Sequence, residues 1–164
     1  MTTQVAHFRD TVQPAMVGTN TCDGVLAYAN GKYQWPLHQV ERFIEAGKRI
    51  HMIDTNGHDV QHADILDVER YDATVAQVPG WVDERWRTHS TAAVYCSRSV
   101  VPAVVSVLNG RPCYLIVADW TNAPHFPAIE LPPRVVIAAV QYASYADWDE
   151  VAVYSRGWLE GVRL

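Results

Sequence analysis

From residue 24 onward, short apolar runs alternate with segments whose apolar positions recur at the helical period. Residues 24–29 (GVLAYA), closed by the turn pair Asn30-Gly31, predict a strand. In residues 36–46 (PLHQVERFIEA), Leu37, Val40, Phe43 and Ile44 share one helical face. Pro36 suits the first turn there, and Gly47 suits the C-cap. Further strands are predicted over 49–54 (RIHMID), 63–68 (ADILDV), 91–96 (TAAVYC), 113–118 (CYLIVA), 134–142 (RVVIAAVQY) and 151–154 (VAVY). Helices are predicted over 74–87, interrupted by Pro79-Gly80, and over 99–109, with Ser97 as N-cap and Asn109-Gly110 as the stop. Residues 121–133 carry four prolines and read as a loop. Residues 1–23 are Thr-rich without a clear period and read as an N-terminal arm, which leaves 24–164 as the domain.

Strand followed by helix, repeated at roughly 20–30 residues, is the pattern of parallel βα units. The strands are nearly continuous apolar runs, as parallel strands covered on both faces require. An open doubly wound sheet and a (β/α) barrel both satisfy this. No GxGxxG follows the first predicted strand, which removes the main support for a dinucleotide fold. With 164 residues, a barrel would have to be small or irregular, because a full one takes about 250.

Charge narrows the partners. The chain has 13 basic and 18 acidic residues, and Lys48-Arg49 is its one adjacent basic pair, so neither nucleic acid nor a membrane surface is an expected partner. No apolar run approaches the roughly 20 residues of a membrane helix, and MTTQVAHFRD does not read as a signal peptide. Cys22, Cys96 and Cys113 form no CxxC pair and read as small buried hydrophobes, so no thiolate metal site is expected. Six tryptophans and eight tyrosines exceed what a core of this size demands, and some suit a stacking platform for a sugar ring.

Parallel α/β folds gather their sites at the carboxyl ends of the strands. Those ends offer Tyr28 and Asn30, Asp54, Asp67 and Glu69, Tyr95 and Ser97, Asp119 and Trp120, and Gln141 and Tyr142. This acidic, amide and aromatic set suits a carbohydrate rather than a phosphate. Asp67-Val68-Glu69 stands out. Residues i and i+2 of a strand point the same way about 6.5–7 Å apart, and two like charges there let one carboxyl keep its proton, as glycoside cleavage needs. The alternative is a solvated pair balanced by Arg70 or Arg98. Asp119 reads either as a loop cap or as a ligand acceptor beside the Trp120 ring. His58 and His62 are spaced for one helical face but lie between strands and lack the HExxH form, so no metal is assigned. No GxSxG elbow or phosphate loop is present.

ILDVERYDAT, AVYCSR, YLIVADWTNAPH and AVQYASY, in this order over roughly residues 24–155, resemble the glycoside-hydrolase-like domains of actinobacteria and their phages, distant relatives of the family 25 lysozymes. The resemblance implies a small or irregular (β/α) barrel of TIM type with about seven mostly parallel strands. It also implies peptidoglycan as the partner and no cofactor. Glu69 would be the general acid and Asp67 the carboxylate that assists through the substrate N-acetyl group. Tyr28, Asp54, Tyr95, Asp119, Trp120, Gln141 and Tyr142 would line the sugar cleft, with Asp147 or Asp149 near its rim. Active lysozymes of the family also carry a first-strand aspartate, and the predicted first strand, GVLAY, has none. Two functions therefore stand. One is a muramidase-like enzyme. The other is an inactive structural virion protein, a tail or capsid component held by other virion proteins or by self-association. Either places the protein in a phage particle, or in the host cytoplasm before assembly.

Overall fold

The computed structural model describes residues 5–164. Its strands close into one barrel in sequence order: β1 (Ala6–Asp10), β2 (Gly24–Tyr28), β3 (Arg49–Asp54), β4 (Ile65–Val68), β5 (Ala93–Ser97), β6 (Cys113–Ala118), β7 (Val135–Ser144) and β8 (Asp149–Val153). Strands β1 to β7 run parallel, and β8 is antiparallel to both β7 and β1. The irregular barrel expected from the pattern is thus present, with eight strands rather than seven.

The additional strand lies in the stretch expected to be an arm. In β1, Phe8 and Asp10 are buried while His7 and Arg9 face outward, a period-two pattern too short and too charged to stand out. Arg9 is balanced on the outer wall by Glu150 at 3.1 Å and by the Trp148 ring at 4.2 Å. The barrel therefore begins at Ala6, not at residue 24, and the connection after β1 is packed as well. Trp35 Nε1 donates to Thr11 O at 2.9 Å, Arg42 Nη2 donates to Pro14 O at 2.6 Å, and Val17 is buried.

Few helices cover this barrel, which is how 164 residues suffice. α1 (Leu37–Glu45) sets Phe43 against Val25, Ala27 and Trp35. α2 (Val78–Thr88) buries Trp81, Val82 and Trp86, and α3 (Val101–Leu108) buries Val104 and Leu108. Pro79-Gly80 does not interrupt α2 but lies in its first turn, where a missing N–H costs nothing. Asn109 ends α3 in the left-handed conformation. The β6–β7 connection is the proline-rich loop, without a helix. All three cysteines are buried and unpaired.

Because β8 runs against its neighbours, it starts at the mouth, where the parallel strands end, and finishes at the opposite rim. There α4 (Arg156–Leu159) turns in, capped by Ser155, and inserts the fully buried Trp158. Its ring stacks on His51, with centroids 3.9 Å apart, and lies near Phe8. His51 is held in turn by Asp64 at 2.5 Å. The lower interior of the barrel is thus filled by side chains, as an eight-stranded barrel requires.

Asp54 differs from expectation. It is completely buried, and its carboxylate accepts from Asn30 Nδ2, from the backbone N–H groups of Asn56, Gly57 and Asp59, and from Trp81 Nε1, all within 2.7–3.0 Å. Burial raises its pKa, but these donors more than offset that and hold it below the ordinary range. It anchors the helix-free β3–β4 connection to α2 and has no acceptor capacity left for a sugar. Asp54→Asn should cost about 2 kcal/mol, since a single amide oxygen replaces two charged acceptors and its NH2 faces donors. A urea melt measures this, and an unchanged midpoint would contradict the anchoring role.

Candidate active site

Four carboxyl groups converge on the mouth. Asp10 ends β1, Asp67 lies in β4, Glu69 follows β4 by one residue, and Asp149 opens β8. Asp10 and Asp149 are cross-strand partners in the β1–β8 pair, and Asp67 is the partner of Tyr95 in the β4–β5 pair. Register therefore sets the site. Each group is on the inward parity of its strand, at the level where the parallel strands end.

Second contacts orient the carboxyls. The Tyr28 hydroxyl points at Asp10 Oδ2 from 3.5 Å, and Gln141 Nε2 donates to Asp149 Oδ2 at 2.5 Å. Asp67, Glu69 and Asp72 offer oxygens that all lie within 4.8 Å of one another. This trio is also the one set of three clustered ligand groups among the described residues, and a divalent ion there would displace protons from it. His58 and His62 build no such set; the His62 ring pairs with Asp59 at 2.6 Å.

The electrostatics share one sign. Burial pushes Asp10 up to about 7, reinforced by the Asp149 and Glu69 charges and opposed by the Tyr28 hydrogen bond. Burial and then the charges of Glu69, Asp72 and Asp10 hold Asp67 well above the carboxylate range. Glu69 is raised by burial and by Asp72, against the Tyr95 hydroxyl. Asp149 is raised by burial, against hydrogen bonds from Ser144 and Gln141. No cation figures among the causes acting on these four groups. The mouth is therefore built to hold protons to higher pH than free carboxyls do. Burial and the same carboxylates push Tyr28 and Tyr95 above the phenol range, so both hydroxyls remain donors.

Three buried acceptors at this floor have no hydrogen-bond partner in the protein: Asp10 Oδ1, Asp67 Oδ1 and Gln141 Oε1. Native interiors seldom leave such atoms unpaired, and at a site they mark where a ligand's donors belong. Two cavities flank the floor. One, of about 760 Å³, opens beside Glu69 and is lined by Tyr71, Asp72, Thr74 and Ser97. The other, of about 110 Å³, is lined by Asp10, Thr11, Tyr28, Tyr145, Asp147 and Asp149.

Asp119, Trp120 and Tyr142 line neither of these two cavities. Tyr142 follows Gln141 where the β7–β8 register is irregular, so its neighbours rather than alternation decide its face. Its charged and phenolic surroundings are Glu150, Tyr145, Tyr154 and Arg9, so it belongs to the outer wall. Asp119 is at a strand end, but its Oδ2 accepts from Arg98 at 2.7 Å and from His125 at 2.8 Å. The His125 and Arg98 hydrogen bonds hold its carboxyl below the ordinary range against burial. It clamps the proline-rich loop. Trp120 next to it is exposed, and so is Tyr71, with 88% of its surface free and φ at 78°.

Asp10 is the residue the sequence pattern left out. The barrel's first strand is Ala6–Asp10 and ends in an aspartate, whereas the strand the pattern predicts as first, Gly24–Tyr28, is the second. The signal available was Ala6, Phe8 and Asp10 alternating with His7 and Arg9.

The closed barrel, with its carboxylates at the carboxyl rim, has the fold of the family 25 glycoside hydrolase lysozymes. A family GH25 lysozyme from Aspergillus fumigatus superposes with a TM-score of 0.60 at 14% identity, over 96% of this chain and 98% of that one. A bacterial lysozyme from Streptomyces coelicolor gives 0.58 at 13%, over 93% and 94%. The CTP1L endolysin gives 0.58 at 12%, over 94% of this chain and 68% of that one. No family model and no curated protein matches the sequence.

Proposed function

We propose that the protein is a muramidase-like glycosidase that cleaves the glycan of peptidoglycan, with Glu69 as general acid and Asp67 as the assisting carboxylate. The observation that carries this reading is the convergence of Asp10, Asp67, Glu69 and Asp149 on one open barrel mouth, all with raised affinity for protons. Lysozymes among the fold's neighbours agree with it. The scaffold alternative drew on a missing first-strand aspartate, and the presence of Asp10 at the end of β1 supports the active reading instead.

In this reading Glu69 gives its proton to the glycosidic oxygen as the C1–O bond breaks. The substrate acetamido oxygen closes on C1, while its N–H donates to Asp67. That N–H supplies the donor Asp67 Oδ1 lacks, and hydrogen bonding to the charged form brings the carboxyl back toward ionisation. Water then attacks C1, returns a proton to Glu69 and reopens the acetamido ring. Gln141 Oε1 and the Tyr28 and Tyr95 hydroxyls hold the sugar.

The product anomer should be the retained one. Attack by the acetamido oxygen and then by water displaces at C1 twice, and two inversions restore the starting configuration. Proton NMR of freshly cleaved oligosaccharide distinguishes the outcomes, and an inverted first product would exclude this mechanism. Reducing ends released from purified walls test the activity itself. If neither mycobacterial nor other walls lose turbidity or release sugar after prolonged incubation, the proposal fails.

A further inference from the structure

We infer that the groove between the β1–β2 and β2–α1 connections receives the peptide arm of the same wall polymer, an inference that rests on the glycan reading of the mouth. The groove encloses about 430 Å³ and is lined by Val12, Pro14, Met16, Tyr33 and Pro36, with Lys32 as its charged group. No carboxylate lines it. Met16 leaves 55% of its surface exposed, and Val12 and Tyr33 leave more than two-fifths. Leu37 extends the patch. Apolar side chains gathered in this way mark a binding surface rather than scattered exposure.

Two observations identify the occupant. The first is continuity. Val12 and Gln13 line both this groove and the cavity holding Asp10 and Asp149, so a ligand on the carboxylate floor runs directly into it. The second is the reversal of charge along that path. The mouth presents Asp10, Asp147 and Asp149, while the groove presents Lys32 and alkyl surface. The other exit from the floor, beside Glu69, offers the exposed Tyr71, and its one cation, Arg70, stands beside Glu69 and Asp72, so unlike Lys32 it is not free of acidic neighbours. Wall glycan carries on alternate sugars a short peptide with methyl side chains and free carboxylates. That combination of apolar and anionic groups matches the groove, and bare glycan supplies neither.

The groove is preformed. Gln13 N–H is fixed by Thr11 Oγ1 at 2.8 Å, and Thr11 Oγ1 in turn donates to Asp147 O at 2.5 Å, which ties the groove's wall to the mouth. Arg42 Nη2 holds the carbonyls of Pro14 and Val17 at 2.6 and 3.0 Å. A ligand therefore meets a rigid wall and little ordering cost.

The test uses a synthetic wall stem tetrapeptide (alanine, γ-linked glutamate, a diamino acid, alanine) added to protein labelled at its methionine methyl groups. The Met16 signal should shift on titration, and that of Met52, which faces α1 from the outer wall, should not. Lys32→Glu should weaken binding about tenfold. A Met16 signal unmoved at millimolar peptide, or equal affinity in Lys32→Glu, would overturn the inference. So would a Met16 shift that follows protein concentration alone, because the groove would then hold a second copy. These readouts need no turnover. Where the protein also cuts, wild type should show a lower KM on intact peptidoglycan than on amidase-stripped glycan, and Lys32→Glu should narrow that gap. Peptide binding without any cleavage would count against the glycosidase alone, and cleavage without peptide binding against the groove alone.

Discussion

Glu69→Gln is expected to lower the rate of wall cleavage by roughly 10³-fold while leaving the thermal melt close to that of the wild type, because the substitution keeps shape and removes only the transferable proton. Glu69 follows β4 at an exposed position, so its side chain supports no packed core. Although the side chain is open to solvent, the surrounding mouth partly desolvates the carboxyl, and with the Asp72 charge this holds its pKa above the ordinary 4.5, so the acid form persists to higher pH than in a free glutamate. Activity that depends on this form should fall as pH rises through the raised value. Asp72→Asn removes the repulsion and should move that alkaline limb to lower pH. Reducing-end release from purified walls over a pH series measures both effects. Wild-type turnover in Glu69→Gln would mean that another group delivers the proton.

How far the sequence carried can be judged strand by strand. Residues 49–54 and 113–118 were bounded as observed, because each is an apolar run between turn residues. Strand β1 escaped, because two of its five residues, His7 and Arg9, face out of the barrel and its last is an acid. What makes it a strand is the pairing to β2 and β8, long-range partners that no local pattern reveals. The same blindness cost the site its Asp10. Asp67, Glu69, Tyr28, Tyr95 and Gln141 were legible because polar residues that interrupt apolar strands at one end must share a rim, whereas Asp149, beyond the predicted strands, was named only through the family resemblance, as Asp147 or Asp149. Asp54 obeyed the same rule yet served another purpose, since its backbone donors come from a turn whose conformation is set only in the fold. Tyr142 could not be placed from the pattern alone, because the β7–β8 pairing is irregular between Gln141 and Ala143.

Asp10→Asn is expected to stabilise the protein above neutral pH while impairing cleavage. In the folded state Asp10 titrates at about 7, against the ordinary 3.8. Between those values the folded chain holds a proton that the unfolded chain has released, so stability declines as pH rises through this window. At ~1.36 kcal/mol per pH unit, the ionised Asp10 costs the fold roughly 4 kcal/mol once the window is passed. Asparagine has no charge to bury, and the neighbouring Asp149 loses a repelling partner. Urea melts of the two proteins should therefore converge near pH 4 and separate progressively toward pH 8, with the variant the more stable. Parallel curves would show that Asp10 is not ionised against burial and would weaken its place in the site. A ligand that donates to Asp10 Oδ1 relieves the same penalty. N-acetylglucosamine oligomers should accordingly raise the wild-type melting temperature at pH 8 more than that of Asp10→Asn. The comparison separates a carboxyl destabilised for the sake of a substrate from one that is merely buried.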